Sequence, residues 1–111
     1  MASQLKTQNW AGQTRRALNA TEIVAGLAKL DNWKLTGDGP NLAIEKTGHF
    51  ANYFETMAFV NAVAFIAHRW DHHPDLAVRY NTCQVRFNTH DVGGISSTDF
   101  DCALQVDALL A

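Results

Sequence analysis

The stretch RWDHHPDLAVRYNTCQVRFNTHD, residues 69–91, holds His72, His73 and His90, and His68 stands immediately before it; the whole chain has five histidines. Imidazole both accepts and donates a proton near neutral pH, because its ordinary pKa lies at about 6.5. A cluster of this kind suits general acid–base chemistry or, with a carboxylate such as Asp99, a metal site. The metal reading is the weaker one. There is no H-E-x-x-H motif, and neither cysteine lies near a partner in sequence. Each histidine also has a plain structural reading. His72 and His73 suit a solvated loop, His90 a polar strand face, and His68 the negative end of a helix.

The positions are informative even so. Pro74 forbids helix and pushes the residue before it into extended backbone, where neighbouring side chains point to opposite sides. His72 and His73 are therefore not expected to enter one pocket in the same way. His90 shares the parity of Gln84, Arg86 and Asn88, which puts it on the polar side of a strand. Ser96 with Asp99 three residues on reads as a capping box, a role that leaves Asp99 free to orient a histidine as well. Trp70 and Arg69 offer a stacking surface for a planar ligand, although one aromatic and one cation are a signal of low specificity. Tyr80, in phase with Val78, reads as core.

Asn19 and Glu22 begin a helix over about residues 21–30, with Ile23, Leu27 and Leu30 at helical spacing. Trp33 and Leu35, then Leu42 and Ile44, alternate with smaller or polar residues around Gly37, Gly39 and Pro40, which predicts a hairpin. Residues 52–68 contain no glycine or proline and are apolar on most of the circumference. They predict a long helix buried between the sheet and another surface, and so apolar an outer face suits either a monomer core or a subunit interface. The apolar residues are Val78 and Tyr80 in one run and Cys83, Val85 and Phe87 in the next. That change of parity near Asn81 and Thr82 predicts a second hairpin. A closing helix follows Gly93 and Gly94. The whole is an α+β fold of order α-β-β-α-β-β-α, two layers with a four-stranded antiparallel sheet packed against three helices. Residues 1–18 read as an arm, loosely ordered or docking, and 19–111 as one domain.

Composition narrows the function classes. The hydrophobic fraction of 47% and charged fraction of 18% belong to a folded domain. A net charge of −2 gives no basic face for nucleic acid. Two cysteines, Cys83 and Cys102, make neither a disulfide framework nor a zinc motif. No signal peptide or membrane span is legible, so a soluble cytoplasmic protein is expected.

Read together, His68-x3-His72-His73-Pro74-x5-Tyr80-x9-His90-x8-Asp99 resembles the signature of the pterin-4a-carbinolamine dehydratases. The segments DHHPDL (71–76), RYN (79–81) and THDVGGISSTD (89–99) look like that family too. The resemblance runs from about residue 21 to 111. It implies dehydration of a 4a-hydroxytetrahydropterin to quinonoid dihydropterin, in support of aromatic amino acid hydroxylases. Histidine acid–base chemistry would act with pterin as the substrate and no cofactor or metal, in a homodimer or homotetramer. By position it makes His72, His73 and His90 the pterin-site histidines and Asp99 the site aspartate; His68, Pro74 and Trp70, beside the doublet, are read with Asp99 as substrate-binding or supporting residues. Many members carry glutamate where this chain has His68. A carboxylate would hold a neighbouring imidazole's pKa up and a neutral imidazole would not, which bears on the pH optimum. The rival reading is a catalytically silent relative that binds other proteins as a coactivator or assembly factor.

Overall fold

The computed structural model describes residues 15–111. Helix α1 spans Ala20–Leu27, strand β1 Lys34–Thr36, β2 Ala43–His49, helix α2 Tyr53–Trp70, β3 Asp75–Val78, β4 Thr82–Phe87 and helix α3 Ser97–Leu110. Short 3-10 turns cover Gly39–Asn41 and His90–Val92. The order is the α-β-β-α-β-β-α expected from the sequence.

Each helix begins where a polar side chain can satisfy amides that have no partner within the helix. Asn19 Oδ1 accepts from the Glu22 amide at 2.9 Å while Glu22 Oε1 accepts from the Asn19 amide at 3.0 Å. Asn52 caps α2 through the Glu55 amide at 2.9 Å. Helix α1 stops at Leu27, short of the expected Leu30, and the chain turns there.

All strand pairs are antiparallel, in the order β1-β2-β4-β3. Two hairpins thus join through their inner strands, with Ile44 opposite Phe87 and Lys46 opposite Val85. The alternation in β4 decides what each face does. Cys83, Val85 and Phe87 are buried against the helices, while Gln84 and Arg86 lie on the opposite, half-open face. One core results, from Ile23 of α1, Phe59, Val63 and Ile66 of α2, Cys102, Ala103 and Val106 of α3, and the inner sheet face. Gly26 lets α1 approach α3, since a Cβ there would sit 2.7 Å from the Phe100 ring. Lys46 and the Trp33 indole both donate to Asp107 Oδ1, at 2.9 and 2.8 Å, and so tie the sheet to α3.

Several expectations need correction. Tyr80 is not core: it lies in the β3–β4 turn, 64% exposed, and stacks on Tyr53. The parity of Val78 does not carry through the turn, because the strand ends at that residue. Leu35, on an edge strand, is exposed rather than inward. Phe54 and Phe65 of α2 are exposed too, Phe54 by 81%, because a helix on one face of a sheet buries only the stripe turned toward it.

Most of the expected arm, residues 1–14, lies outside the described residues. Its end docks. The Leu18 amide donates to the Ile95 carbonyl at 2.8 Å, and Arg15 pairs with Asp91 at 3.1 Å.

Candidate active site

The site begins at the end of α2. Asp71 takes left-handed backbone (φ 48, ψ 47). Its amide donates to the His68 carbonyl at 3.2 Å, and the His72 amide reaches back to the Ala67 carbonyl at 3.0 Å. This pair of reversed hydrogen bonds closes a helix, and Pro74 keeps it from resuming. The two histidines then part. His72 is buried at 7% exposure, whereas His73 is exposed.

His72 turns inward onto α3. Its Nε2 lies 2.5 Å from Oδ1 of Asp99, whose side chain is fully buried. The other carboxylate oxygen accepts from the Ser96 amide at 2.9 Å and from the Thr89 hydroxyl at 2.7 Å. With the Thr89 proton committed to Asp99, the 2.6 Å contact between Thr89 and Ser96 hydroxyls is a bond donated by Ser96. Asp99 thus accepts from the Ser96 amide and the Thr89 hydroxyl through one oxygen and bonds the His72 imidazole through the other. The imidazole ring also lies nearly parallel to Phe87, with centroids 6.0 Å apart. Asp99 therefore fills both expected roles, capping-box acid at the start of α3 and partner of a histidine.

His73 faces the other way, into a cavity of about 310 Å³ lined by Asn41, His73, Asp75, Arg86, Asn88 and His90. The open sheet face forms its floor. Asn88 holds one wall, its Nδ2 donating to the carbonyls of Leu42 at 2.7 Å, Pro40 at 3.1 Å and Gly94 at 3.3 Å. Arg86 Nη2 donates to the Asn41 carbonyl at 2.7 Å. Two imidazoles from separate elements thus share a small polar cavity, an arrangement able to give a proton at one point and take one at another. Among the described residues, no group of three His, Cys, Asp or Glu side chains is placed to share a metal ion.

Of the seven residues singled out from the sequence, His73 and His90 line the cavity, and His72 and Asp99 sit behind it as a buried pair. Pro74 is half-buried between His73 and β3. His68 and Trp70 are not among the lining residues; Trp70 borders a separate groove with Phe65, Ile66 and Arg69. His72 and His73 thus point to opposite sides, as the extended backbone before Pro74 predicts. Asn41, Asp75, Arg86 and Asn88 were not singled out as site residues. The parity that placed His90 also places Arg86 and Asn88, but only the strand pairing brings Asp75 opposite Arg86.

A family model described as pterin 4 alpha carbinolamine dehydratase matches residues 16–109. A Paracidovorax citrulli protein provisionally named a pterin-4-alpha-carbinolamine dehydratase is 61% identical over 110 residues, 99% of this chain and 95% of its own. A Bdellovibrio bacteriovorus protein with the same provisional name is 52% identical, over 85% of this chain and 78% of its own. Among solved structures, a Brucella melitensis transcriptional coactivator/pterin dehydratase superposes with a TM-score of 0.81 at 26% identity, covering 86% of this chain and 100% of that one. A pterin dehydratase-like protein identified as a RuBisCO assembly factor in the alpha-carboxysome shares the fold, with a TM-score of 0.60 at 22% identity over 71% of this chain and 89% of its own. With a family model spanning nearly all of the described residues and a relative 61% identical over its length, this chain belongs to the pterin 4 alpha carbinolamine dehydratase family.

Proposed function

We propose that this protein dehydrates a 4a-hydroxytetrahydropterin to quinonoid dihydropterin and water, using His73 and His90 as the proton-transfer pair. The placement of these two imidazoles on one small cavity carries the reading. In the reaction the C4a–O bond breaks, and the hydroxyl leaves as water with a proton from one imidazolium. The lone pair of the adjacent ring nitrogen forms the C4a=N bond, and the other, neutral imidazole takes that nitrogen's proton. The step balances without redox change or a cofactor. Each transfer is typically worth about 10²–10⁴-fold.

His72 and Asp99 are positioning residues in this scheme. Their bond holds the chain after α2 against α3, and with His72 turned in, His73 is turned out. Recycling of the pterin used by an aromatic amino acid hydroxylase, a cytoplasmic location and assembly as a homodimer or homotetramer belong to the same reading.

The test is to generate the 4a-hydroxytetrahydropterin with a hydroxylase and follow its dehydration by absorbance. The protein should accelerate the reaction, and a folded His73→Ala, His90→Ala double variant should not. Full activity in His90→Ala together with complete loss in His72→Ala would sink the assignment of roles.

A second reading is a catalytically silent protein-binding or assembly role. The exposed apolar side chains of α2, Phe54 above all, offer a surface for it, as they do for a homo-oligomer. No acceleration over the spontaneous reaction at any pH where imidazole titrates would favour that reading.

A further inference from the structure

The cavity holds more than two histidines. Asp75 and Arg86 are cross-strand partners that both line it, Arg86 half-buried and Asp75 exposed, with Nη1 of Arg86 4.0 Å from Oδ2 of Asp75. That separation is too long for a hydrogen bond. On its other side, Nε of Arg86 lies 3.9 Å from Oε2 of Glu45, again beyond bonding range. The guanidinium is nonetheless fixed, since Nη2 donates to the Asn41 carbonyl at 2.7 Å. Gly37 makes room for that anchor. A Cβ there would lie 2.4 Å from the Asn41 oxygen and 3.1 Å from Arg86 Nη2, and its φ of +75 disfavours any side chain. An arginine held at one end, with a carboxylate beside it at non-bonding distance, leaves both groups able to bond a ligand between or above them.

We infer that Asp75 and Arg86 read the 2-amino-4-oxo edge of the pterin ring. The inference rests on the dehydratase reading and adds the residues that would choose the substrate. This edge presents two donors, the 2-amino group and the ring N3–H, followed by one acceptor, the 4-oxo oxygen. A carboxylate accepts from two adjacent N–H groups, and a guanidinium donates to a carbonyl. The pair lining the cavity offers one acceptor group beside one donor group, the complement of that edge. The geometry also suits the chemistry. C4, which bears the oxo group, is bonded to C4a, which bears the departing hydroxyl. A donor that fixes the oxo oxygen therefore fixes the hydroxyl a short distance away, in the cavity that His73 and His90 line.

Equilibrium binding of three unreactive pteridines, followed by their fluorescence at a pH below the ionisation of N3–H, tests this without turnover. Pterin carries the full edge, 2,4-diaminopteridine replaces the oxo group with an amine and with it loses the hydrogen on N3, and lumazine replaces the 2-amino group with an oxo group. Wild-type protein should prefer pterin to each by roughly ten- to hundred-fold, the range for loss of a hydrogen bond to a charged group. Arg86→Met should shrink the preference over 2,4-diaminopteridine, leaving the part due to the lost N3 hydrogen, and should keep that over lumazine. Asp75→Asn should erase the preference over lumazine and leave the part of the other that Arg86 supplies. Arg86→Lys should retain part of the first preference, and it serves if the methionine variant does not fold. Folded Arg86 and Asp75 variants that both keep wild-type preferences would overturn the inference and leave the dehydratase reading standing. Failure of the wild-type protein to bind pterin would remove both.

Discussion

Nε2 of His72 lies 2.5 Å from Oδ1 of Asp99, and both side chains are buried. The pair joins the end of α2 to the start of α3, so one hydrogen bond orders both sides of the cavity loop. The Ser96 amide and Thr89 hydroxyl donate to the other oxygen of Asp99, so both carboxyl oxygens are engaged.

Asp99→Asn tests that arrangement. The new amide can keep its oxygen on Ser96 and Thr89 only by turning its NH2 toward His72, which must then present its other tautomer, and the change should destabilise the protein by about 1–3 kcal/mol. In urea melts the midpoint should fall with the slope unchanged. A variant as stable as wild type would mean the carboxylate is not the acceptor described.

His73 and His90 are both exposed, so replacing either with alanine should leave stability within about 0.5 kcal/mol. Dehydration should still slow by about 10²–10⁴-fold for each. His72→Ala should show the opposite emphasis, a lower melting temperature together with any loss of rate. Thermal melts run beside the absorbance assay separate the two patterns.

Asp71 sits in the left-handed region between α2 and His72. A β-branched residue is poorly tolerated there, so Asp71→Val should cost about 1–2 kcal/mol. Asp71→Gly should be near neutral or better, because glycine takes this conformation without strain. Comparison of the two by chemical denaturation checks the backbone argument apart from side-chain charge.

Both cysteines are buried. Burial pushes the Cys83 thiol up, and burial followed by the nearby Asp99 and Asp101 charges pushes Cys102 up to about 12. Neither should react with a thiol reagent at pH 8 in the native state, and both should react once the chain is unfolded. The folded protein holds these protons more tightly than the unfolded chain. Stability linked to them is therefore full below the ordinary thiol pKa of 9.0 and falls as pH rises toward about 12.

Glu22 behaves in the opposite sense. Its hydrogen bonds to the Arg16 guanidinium and the Asn19 amide hold its carboxyl down to about 2, from an ordinary 4.5. The support it gives the start of α1 is present above 4.5 and lost as pH falls toward about 2. An NMR titration should place its midpoint near the lower value, and Arg16→Ala should move it back up.

Local rules account for what could be read from the residues alone. Asn19 with Glu22 and Ser96 with Asp99 mark helix starts because the cap and its partner are three residues apart in sequence. The parity of Gln84, Arg86, Asn88 and His90 marks one strand face, since side chains alternate along any strand. Pro74 ends α2 because a proline cannot continue a helix. The order of elements and the separation of His72 from His73 follow from these short-range constraints.

Long-range pairing decided the rest. His72 is buried rather than solvated because α3 places Asp99 against it from 27 residues away in the chain. Asp75 belongs to the cavity because β3 pairs with β4 in a register that sets it opposite Arg86. His68 and Trp70 are not among the lining residues, although in sequence they stand only four and two residues before His72. Tyr80 looked like core by parity and is exposed because its strand had already ended. Parity and capping are properties of a few consecutive residues. Which histidine meets solvent, and which meets a carboxylate, depends on how the sheet and the last helix come together.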